Sequence, residues 1–289
     1  GGSAVSIALG NAAGPLWSGQ YGLADKAAQK APDTETMFGI GSTSKMFATV
    51  AAMILAERGY IDLDAPFVRY CPDFKMAAPG YEKITIRMLL DHSAGFPGTD
   101  YRNVIGRAPV DSYYKQAMAT LADSRLKHEP GWMNVYANDG FTLIESLVKV
   151  RTGMDYADFV VKEIIQPLGM RDTALPLSAF PEGSYAKTYS GTVQEAQEFV
   201  GALASGGIYS TPSDLTRFAA IFMNQGAGGN TPIISSESVN VMAADRTQGT
   251  FNPLGSDFLR FGLGWDSVAE EGMAVLGEQA WIKGGDTDS

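Results

Sequence analysis

An almost wholly apolar stretch in the first fifth of the chain constrains the fold most. Between Thr43 and Arg58 the charged positions are confined to Lys45 and to the C-terminal Glu57 and Arg58. A helix that is apolar on every face is buried in the protein core, and Gly59 is a good C-terminal stop. The pattern predicts a buried helix over residues 43–58, with Lys45 inside the protein.

Strand-like segments lie towards the two ends of the chain, and helical patterns fill most of the middle. Residues 4–9 and 16–24 surround a Gly-rich turn and predict a hairpin, and residues 281–282 resemble a strand. Segment 84–90 is apolar on both faces and fits either a strand or a short helix. Helical periodicity covers residues 141–150, 155–165 and 215–224.

This order of elements predicts an α+β (α/β) protein with two interleaved lobes. We expect residues 1–60 and 206–289 to form a lobe built on an antiparallel sheet with flanking helices. Residues 61–205 would form an inserted, mainly helical lobe, so that the two lobes make a single functional unit.

Charge and composition exclude several classes of function. The 289 residues include 22 Lys+Arg and 32 Asp+Glu, a net charge of −10, which argues against a nucleic-acid partner. No apolar stretch reaches the ~18–20 residues of a membrane span. A single cysteine, Cys71, excludes an internal disulfide. His92 and His128 are too few for a typical zinc site, and no metal or organic cofactor is implied.

Ser42 and Lys45 form the first candidate for catalysis. A serine three residues before a lysine places both side chains on one helix face, and a buried lysine loses its charge readily and can activate a serine. The Ser-x-x-Lys pattern also occurs at Ser112, Ser124, Ser146 and Ser184. Only Ser42 follows a Gly-rich loop and opens an all-apolar helix. An ordinary helix N-cap is the alternative interpretation of Ser42.

Tyr136, Ala137 and Asn138 form the second candidate, on a connection between predicted elements, where functional residues concentrate. A tyrosine is a poor base unless nearby cations lower its pKa. The Asn138 amide could hold a substrate amide. A packed loop tyrosine beside a turn-forming asparagine is the alternative.

Lys283, Gly284 and Gly285 form the third candidate, and this Lys-x-Gly occurs once in the chain. It follows the strand-like residues 281–282. Two glycines would let a substrate backbone lie close to the strand edge. A surface lysine before a turn is the alternative.

The order Ser-x-x-Lys, Tyr-x-Asn, Lys-x-Gly resembles that of the penicillin-recognising serine hydrolases. These include class C β-lactamases, low-molecular-mass penicillin-binding proteins, and related esterases (family VIII) and D-aminopeptidases of the S12 peptidase type. The resemblance extends over about residues 4–286. It includes the segments Phe38–Ser42, Leu89–Gly98, Pro167–Met170 with Thr173, and Gly206–Thr211 with Asp214 and Leu215.

The resemblance implies a serine β-lactamase-like fold and a role for each candidate. Ser42 would be the acylated nucleophile, and Lys45 and Tyr136 would share the general base and acid roles. Tyr136 would lie between Lys45 and Lys283, whose charges would favour its phenolate. Asn138 would hold the substrate amide.

The same resemblance assigns the last motif to substrate binding. Lys283, with Gly284 and Gly285, would help bind a substrate carboxylate. The backbone N–H groups of Ser42 and Asp286 would form an oxyanion hole. The family often has Lys-Thr-Gly or His-x-Gly here, so Lys-Gly-Gly lacks one hydroxyl contact to a carboxylate.

The family further implies a β-lactam, a D-Ala-type peptide, an amide or an ester as the substrate, and a place in the bacterial envelope or outside the cell. Its fold has two further strands and a helix after Lys-x-Gly, and a helix before the first strand. We therefore expect this chain to be truncated at both ends. Oligomeric state is left open.

Two alternatives to turnover on Ser42 stay open. One is a degenerate penicillin-binding sensor with the same fold, which binds or acylates without turnover. The other is a Ser-His-Asp esterase using His92 or His128, although the chain has no Gly-x-Ser-x-Gly elbow. His92 lies inside the family-like segment 89–98, which favours a structural role.

Overall fold

A computed structural model describes residues 3–99, 101–102, 104–252, 260–269, 275 and 280–287. Its helices are α1 Ser44–Glu57, α2 Ile86–Leu90, α3 Tyr113–Ala122, α4 Asn138–Thr152, α5 Tyr156–Val160, α6 Leu203–Gly206, α7 Pro212–Met223 and α8 Ser236–Ala243. Its strands are β1 Ala4–Asn11, β2 Gly14–Gly22, β3 Phe38–Gly39, β4 Ile105–Gly106, β5 Tyr189–Ser190, β6 Val193–Gln194, β7 Phe199–Val200, β8 Tyr209–Ser210, β9 Ala227–Gly228 and β10 Thr231–Pro232. Each named strand pairs antiparallel with one other.

Helix α1 runs through the centre of the main core, as its apolar sequence predicts. Every residue from Ser44 to Leu55 is buried, and α1 contacts both α4 and α6. Phe47 stacks on Phe218 of α7 with 4.1 Å between ring centroids. One turn of 3₁₀-helix, Gly41–Thr43, precedes α1 and carries Ser42.

The predicted hairpin forms from β1 and β2, with Ala4 opposite Gly22. Its burial alternates along β1, and α7 packs against both strands. Asn11 closes the turn, because its side-chain Oδ1 accepts the Ala13 N–H at 2.8 Å. Leu9, Leu16 and Trp17 of this hairpin are exposed.

Local capping defines the other predicted helices. The Thr85 hydroxyl caps α2 by accepting the Met88 N–H, so residues 86–90 are helical rather than a strand. The Thr211 hydroxyl caps α7 in the same way by accepting the Asp214 N–H. Helix α4 ends at Gly153, whose φ of +75° suits glycine. The predicted helix 155–165 forms as α5 followed by one π-helical turn.

The strand expected at residues 281–282 is reduced, within the described residues, to one antiparallel bridge between Ile282 and Ser267. Strands β3 and β8 pair Phe38 with Ser210 and hold the loop before Ser42. None of the described helices has the length and apolarity needed to cross a membrane. The division into two lobes stays a prediction.

Candidate active site

Ser42 and Lys45 meet at the start of α1. Their side chains lie one turn apart, with 2.9 Å between Lys45 Nζ and Ser42 Oγ. Lys45 Nζ also donates to the Ser205 carbonyl at 2.7 Å, which anchors it to α6. The Ser44 hydroxyl accepts the Ile208 N–H at 3.0 Å and fixes this end of α1 to the segment before β8. The apolar helix and these anchors hold the Lys45 amine within hydrogen-bond distance of the Ser42 hydroxyl.

The surroundings of the Lys45 amine favour its neutral form. The residue is 0% exposed. Burial holds the pKa of Lys45 well below its usual value, and the positive charge of Lys283 lowers this pKa further, while Asp266 opposes the shift. A neutral amine 2.9 Å from a hydroxyl can accept its proton. The arrangement therefore suits a base and its nucleophile.

Two of the other Ser-x-x-Lys pairs show what the sequence pattern alone lacks. Lys149 pairs with Asp155 at 2.8 Å, and Lys187 pairs with Glu182 at 2.7 Å. Their partner Ser146 donates to the Leu143 carbonyl and Ser184 donates to the Pro181 carbonyl. Each of these lysines has a carboxylate as its partner instead of the serine of its own motif.

Tyr136 is held against this pair by His92. The two rings stack with centroids 4.3 Å apart and planes 27° from parallel. His92 also receives hydrogen bonds from the backbone on both sides of Tyr136, the Val135 N–H on its carbonyl and the Ala137 N–H on Nδ1. Burial lowers the pKa of His92 well below its usual value, so the ring is neutral. His92 thus holds the Tyr136 loop in place. The sequence indicated only that His92 has a structural role.

Both lysines lie close to Tyr136, since Lys45 Nζ is 4.9 Å and Lys283 Nζ 5.4 Å from its ring centroid. The expectation that their charges favour the phenolate is wrong. Burial raises the pKa of Tyr136, and the nearby Asp266 carboxylate adds to the rise, whereas the Ser42 hydroxyl only partly offsets it. This direction favours the protonated phenol at Tyr136, which can pass a proton.

Residues 283–287 lie directly on the loop before α1. A Cβ on Gly41, whose φ is +49°, would come within 2.6 Å of the Asp286 nitrogen. A Cβ on Gly285 would overlap the Ile40 carbonyl oxygen. Gly285 therefore allows close approach of the protein's own backbone, and the predicted approach of a substrate backbone stays a prediction. This contact brings the backbones of Ser42 and Asp286 to the same cleft.

Lys283 is paired to Asp266, a residue that sequence reasoning missed. Its Nζ donates to both carboxylate oxygens at 2.8 and 2.9 Å and to the Gly284 carbonyl at 2.8 Å. The expected help of Lys283 in binding a substrate carboxylate stays a prediction, and such a carboxylate would compete with Asp266 for this ammonium. The sequence signal that could have found Asp266 is the apolar run before it. This run could pair antiparallel with residues 281–282 and so bring Asp266 to Lys283.

Asn138 begins α4 at the edge of the same cleft. Its backbone N–H donates to the Thr99 hydroxyl at 3.0 Å. Its side-chain Oδ1 is buried and has no hydrogen-bond partner among the described residues. The cleft has a volume of about 700 Å³, and its walls include Ser42, Tyr101, Val104, Ile105, Tyr136, Asn138, Val200, Phe261, Asp266, Lys283, Gly284, Gly285 and Asp286. Seven of the eight predicted site residues thus line this cleft, and the eighth, Lys45, lies 2.9 Å from Ser42 Oγ.

The arrangement can be compared with known proteins. The family model described as Beta-lactamase matches residues 2–289, which is nearly the whole chain. The chain belongs to the Beta-lactamase family. The resemblance found in the sequence motifs is thereby confirmed, together with the fold that it implied.

Curated relatives of this Beta-lactamase family chain are about a quarter to a third identical to it over the residues that align. "Penicillin-binding protein 4*" of Bacillus subtilis (strain 168) is 30% identical over 55% of this chain and 35% of its own length. "D-alanyl-D-alanine-carboxypeptidase/endopeptidase AmpH" of Escherichia coli (strain K12) is 26% identical over 67% of this chain and 50% of its own. The chain thus spans about a third to a half of these relatives.

Solved structures support the Beta-lactamase family fold. The octameric penicillin-binding protein homologue from Pyrococcus abyssi superposes with a TM-score of 0.77 at 24% identity, over 91% of this chain and 60% of that one. D-amino acid amidase from Ochrobactrum anthropi SV3 superposes with a TM-score of 0.72 at 26% identity, over 91% of this chain and 76% of that one. These two structures share one fold, although one is named a penicillin-binding protein homologue and the other an amidase.

Proposed function

We propose that this chain is a serine hydrolase that forms an acyl-enzyme on Ser42, with a β-lactam, a D-Ala-type peptide, an amide or an ester as its substrate. One observation carries the proposal, namely the fully buried Lys45 amine 2.9 Å from the Ser42 hydroxyl. Burial disfavours the charged amine, so Lys45 accepts the proton as Ser42 Oγ attacks the substrate carbonyl carbon.

The remaining residues complete this mechanism as proposals. The backbone N–H groups of Ser42 and Asp286 stabilise the oxyanion of the tetrahedral intermediate. Tyr136 lies beside Ser42 and Lys45, and its phenol relays the proton from Lys45 to the leaving group. The unpartnered Oδ1 of Asn138 accepts an N–H of the substrate. A water then attacks the acyl-enzyme, and Ser42 regains its proton.

Intact-mass spectrometry tests the nucleophile. Incubation with 4-nitrophenyl acetate or a fluorescent penicillin should add one acyl group per chain in the wild type and none in Ser42→Ala. Ser184→Ala is the matched control, because Ser184 belongs to another Ser-x-x-Lys pair and its lysine binds Glu182. An undiminished adduct in Ser42→Ala would contradict the proposal.

Turnover separates the hydrolase from a sensor that acylates once. We expect 4-nitrophenol release to continue at a steady rate after the first equivalent. Release that stops at one equivalent per chain would instead identify the sensor. We further propose small acyl compounds or peptides as partners and the bacterial envelope as location, supported by the family resemblance.

A further inference from the structure

Lys283 has no hydrogen-bond donor left for a substrate. A lysine ammonium has three N–H donors. In this structure they go to Asp266 Oδ1, Asp266 Oδ2 and the Gly284 carbonyl, at 2.8, 2.9 and 2.8 Å. The side chain of Lys283 is only 3% exposed. A substrate carboxylate could bind this ammonium only by displacing one of these acceptors.

Asp266 is held in place by two independent contacts. The antiparallel bridge between Ser267 and Ile282 puts Asp266 directly opposite Lys283. Asp266 Oδ2 also accepts the Gly284 N–H at 2.9 Å, so the carboxylate binds both the side chain and the backbone of the Lys-Gly-Gly segment. Displacing it would break these hydrogen bonds together.

The group that faces the cleft at this end is therefore the carboxylate. The Asp266 side chain is 26% exposed, against 3% for Lys283, and both residues line the cleft. Paired charges of opposite sign give no net attraction for an anion. A substrate carboxylate brought to this end would meet a fixed negative charge at short range, which opposes binding.

We propose that Asp266 determines specificity, so that the site accepts acyl substrates whose group next to the Lys-Gly-Gly segment is uncharged and discriminates against a carboxylate there. This inference rests on the proposed acylation of Ser42 and names its substrate class. An amide or ester end fits, because it brings no negative charge to Asp266 and needs no free ammonium donor.

A matched pair of aryl esters tests the inference. The 3-carboxyphenyl and 3-carbamoylphenyl esters of phenylacetylglycine transfer the same acyl group and differ in one charge on the leaving group. Acylation rates, divided by the rates of hydroxide hydrolysis, should favour the carbamoyl ester at least about tenfold in the wild type. In Asp266→Asn this ratio should fall at least about tenfold, because the negative charge disappears and one Lys283 N–H becomes available.

Lys283→Met provides the second variant. If Asp266 sets the preference, this variant keeps or increases the selectivity for the carbamoyl ester, since the negative charge is then unopposed. A wild type that prefers the carboxyl ester, or a ratio unchanged in Asp266→Asn, would overturn the inference while leaving the acyl-enzyme intact. Failure of both esters to label Ser42 would instead overturn the proposed function itself.

Discussion

Lys45 and Lys283 lie within 5.4 Å of the same tyrosine ring, yet their surroundings differ sharply. Lys45 is fully buried beside a hydroxyl and a carbonyl, whereas Lys283 holds a carboxylate with two hydrogen bonds. Burial lowers the pKa of both, but Asp266 opposes that shift directly at Lys283. The comparison shows that the partner of a buried lysine decides whether it is a base or a fixed cation.

The largest expected effect separates these two lysines. Lys45→Met should reduce the acylation rate at least about 1,000-fold, because the general base is lost. Lys45→Arg should not restore the rate, since a guanidinium stays protonated. Lys283→Met is the matched control and should retain most of the activity towards the carbamoyl ester. Equal losses in the two Met variants would contradict the distinction drawn between them.

Tyr136→Phe should reduce acylation about 100-fold, because the phenol can no longer relay a proton. The phenylalanine ring preserves the stacking on His92, so the loop should keep its position. Stopped-flow acylation with a good leaving group, 4-nitrophenolate, should show a smaller loss than with an amide. A loss independent of the leaving group would argue against the relay.

His92→Asn should reduce acylation about tenfold without moving the pH profile. Asparagine tolerates the left-handed backbone of this position, where φ is +64°, but it removes the ring that stacks on Tyr136. Because His92 is neutral and acts only by holding the loop, its loss should leave the pH dependence unchanged. A displaced acidic limb would mean that His92 itself exchanges protons in the reaction.

The pH profile can sharpen the comparison of the lysines. Acylation should fall as pH decreases through the lowered pKa of Lys45, because the protonated amine cannot accept a proton. The charge of Lys283 lowers this pKa and that of Asp266 raises it. The acidic limb should therefore move to higher pH in Lys283→Met and to lower pH in Asp266→Asn. Shifts of the same sign in both variants would contradict this electrostatic coupling.

The smallest effect on activity is expected from a substitution of Glu145, which binds the same helix α6 that holds Lys45. Its carboxyl accepts the Ala204 N–H at 3.0 Å, one residue before the Ser205 carbonyl that holds Lys45. Burial raises the pKa of Glu145 to about 8. The folded protein keeps this proton longer than the unfolded chain, so stability should fall as pH rises from about 4.5 to about 8.

Urea denaturation across that pH range measures the effect of Glu145. Glu145→Gln keeps an oxygen that can accept the Ala204 N–H but cannot ionise, so it should lose this part of the pH dependence. Activity should change only a few-fold. Identical pH profiles of stability in the wild type and the variant would show that the Glu145 carboxyl does not stay protonated in the folded protein.

Local sequence signals predicted the elements well. The hairpin, α1, α4 and α7 follow from alternation, apolar runs and caps at Thr211 and Gly153. The sequence of segment 84–90 fits either a strand or a short helix, because its apolar residues show no period. The Thr85 hydroxyl caps it as a helix. The strand expected at 281–282 forms only the bridge between Ile282 and Ser267 within the described residues, because strand pairing also depends on the partner segment.

The sequence by itself determined that Ser42 and Lys45 lie one turn apart where a buried helix begins, because helical spacing and an apolar surround are properties of consecutive residues. Only the tertiary structure decided the state of Lys283, since its partner Asp266 is 17 positions away and reaches it through one antiparallel bridge. Only the tertiary structure likewise brings the ring of His92 onto that of Tyr136, because the two residues are far apart in the sequence. Charge state depends on burial and on distant partners, and chain folding alone brings these together.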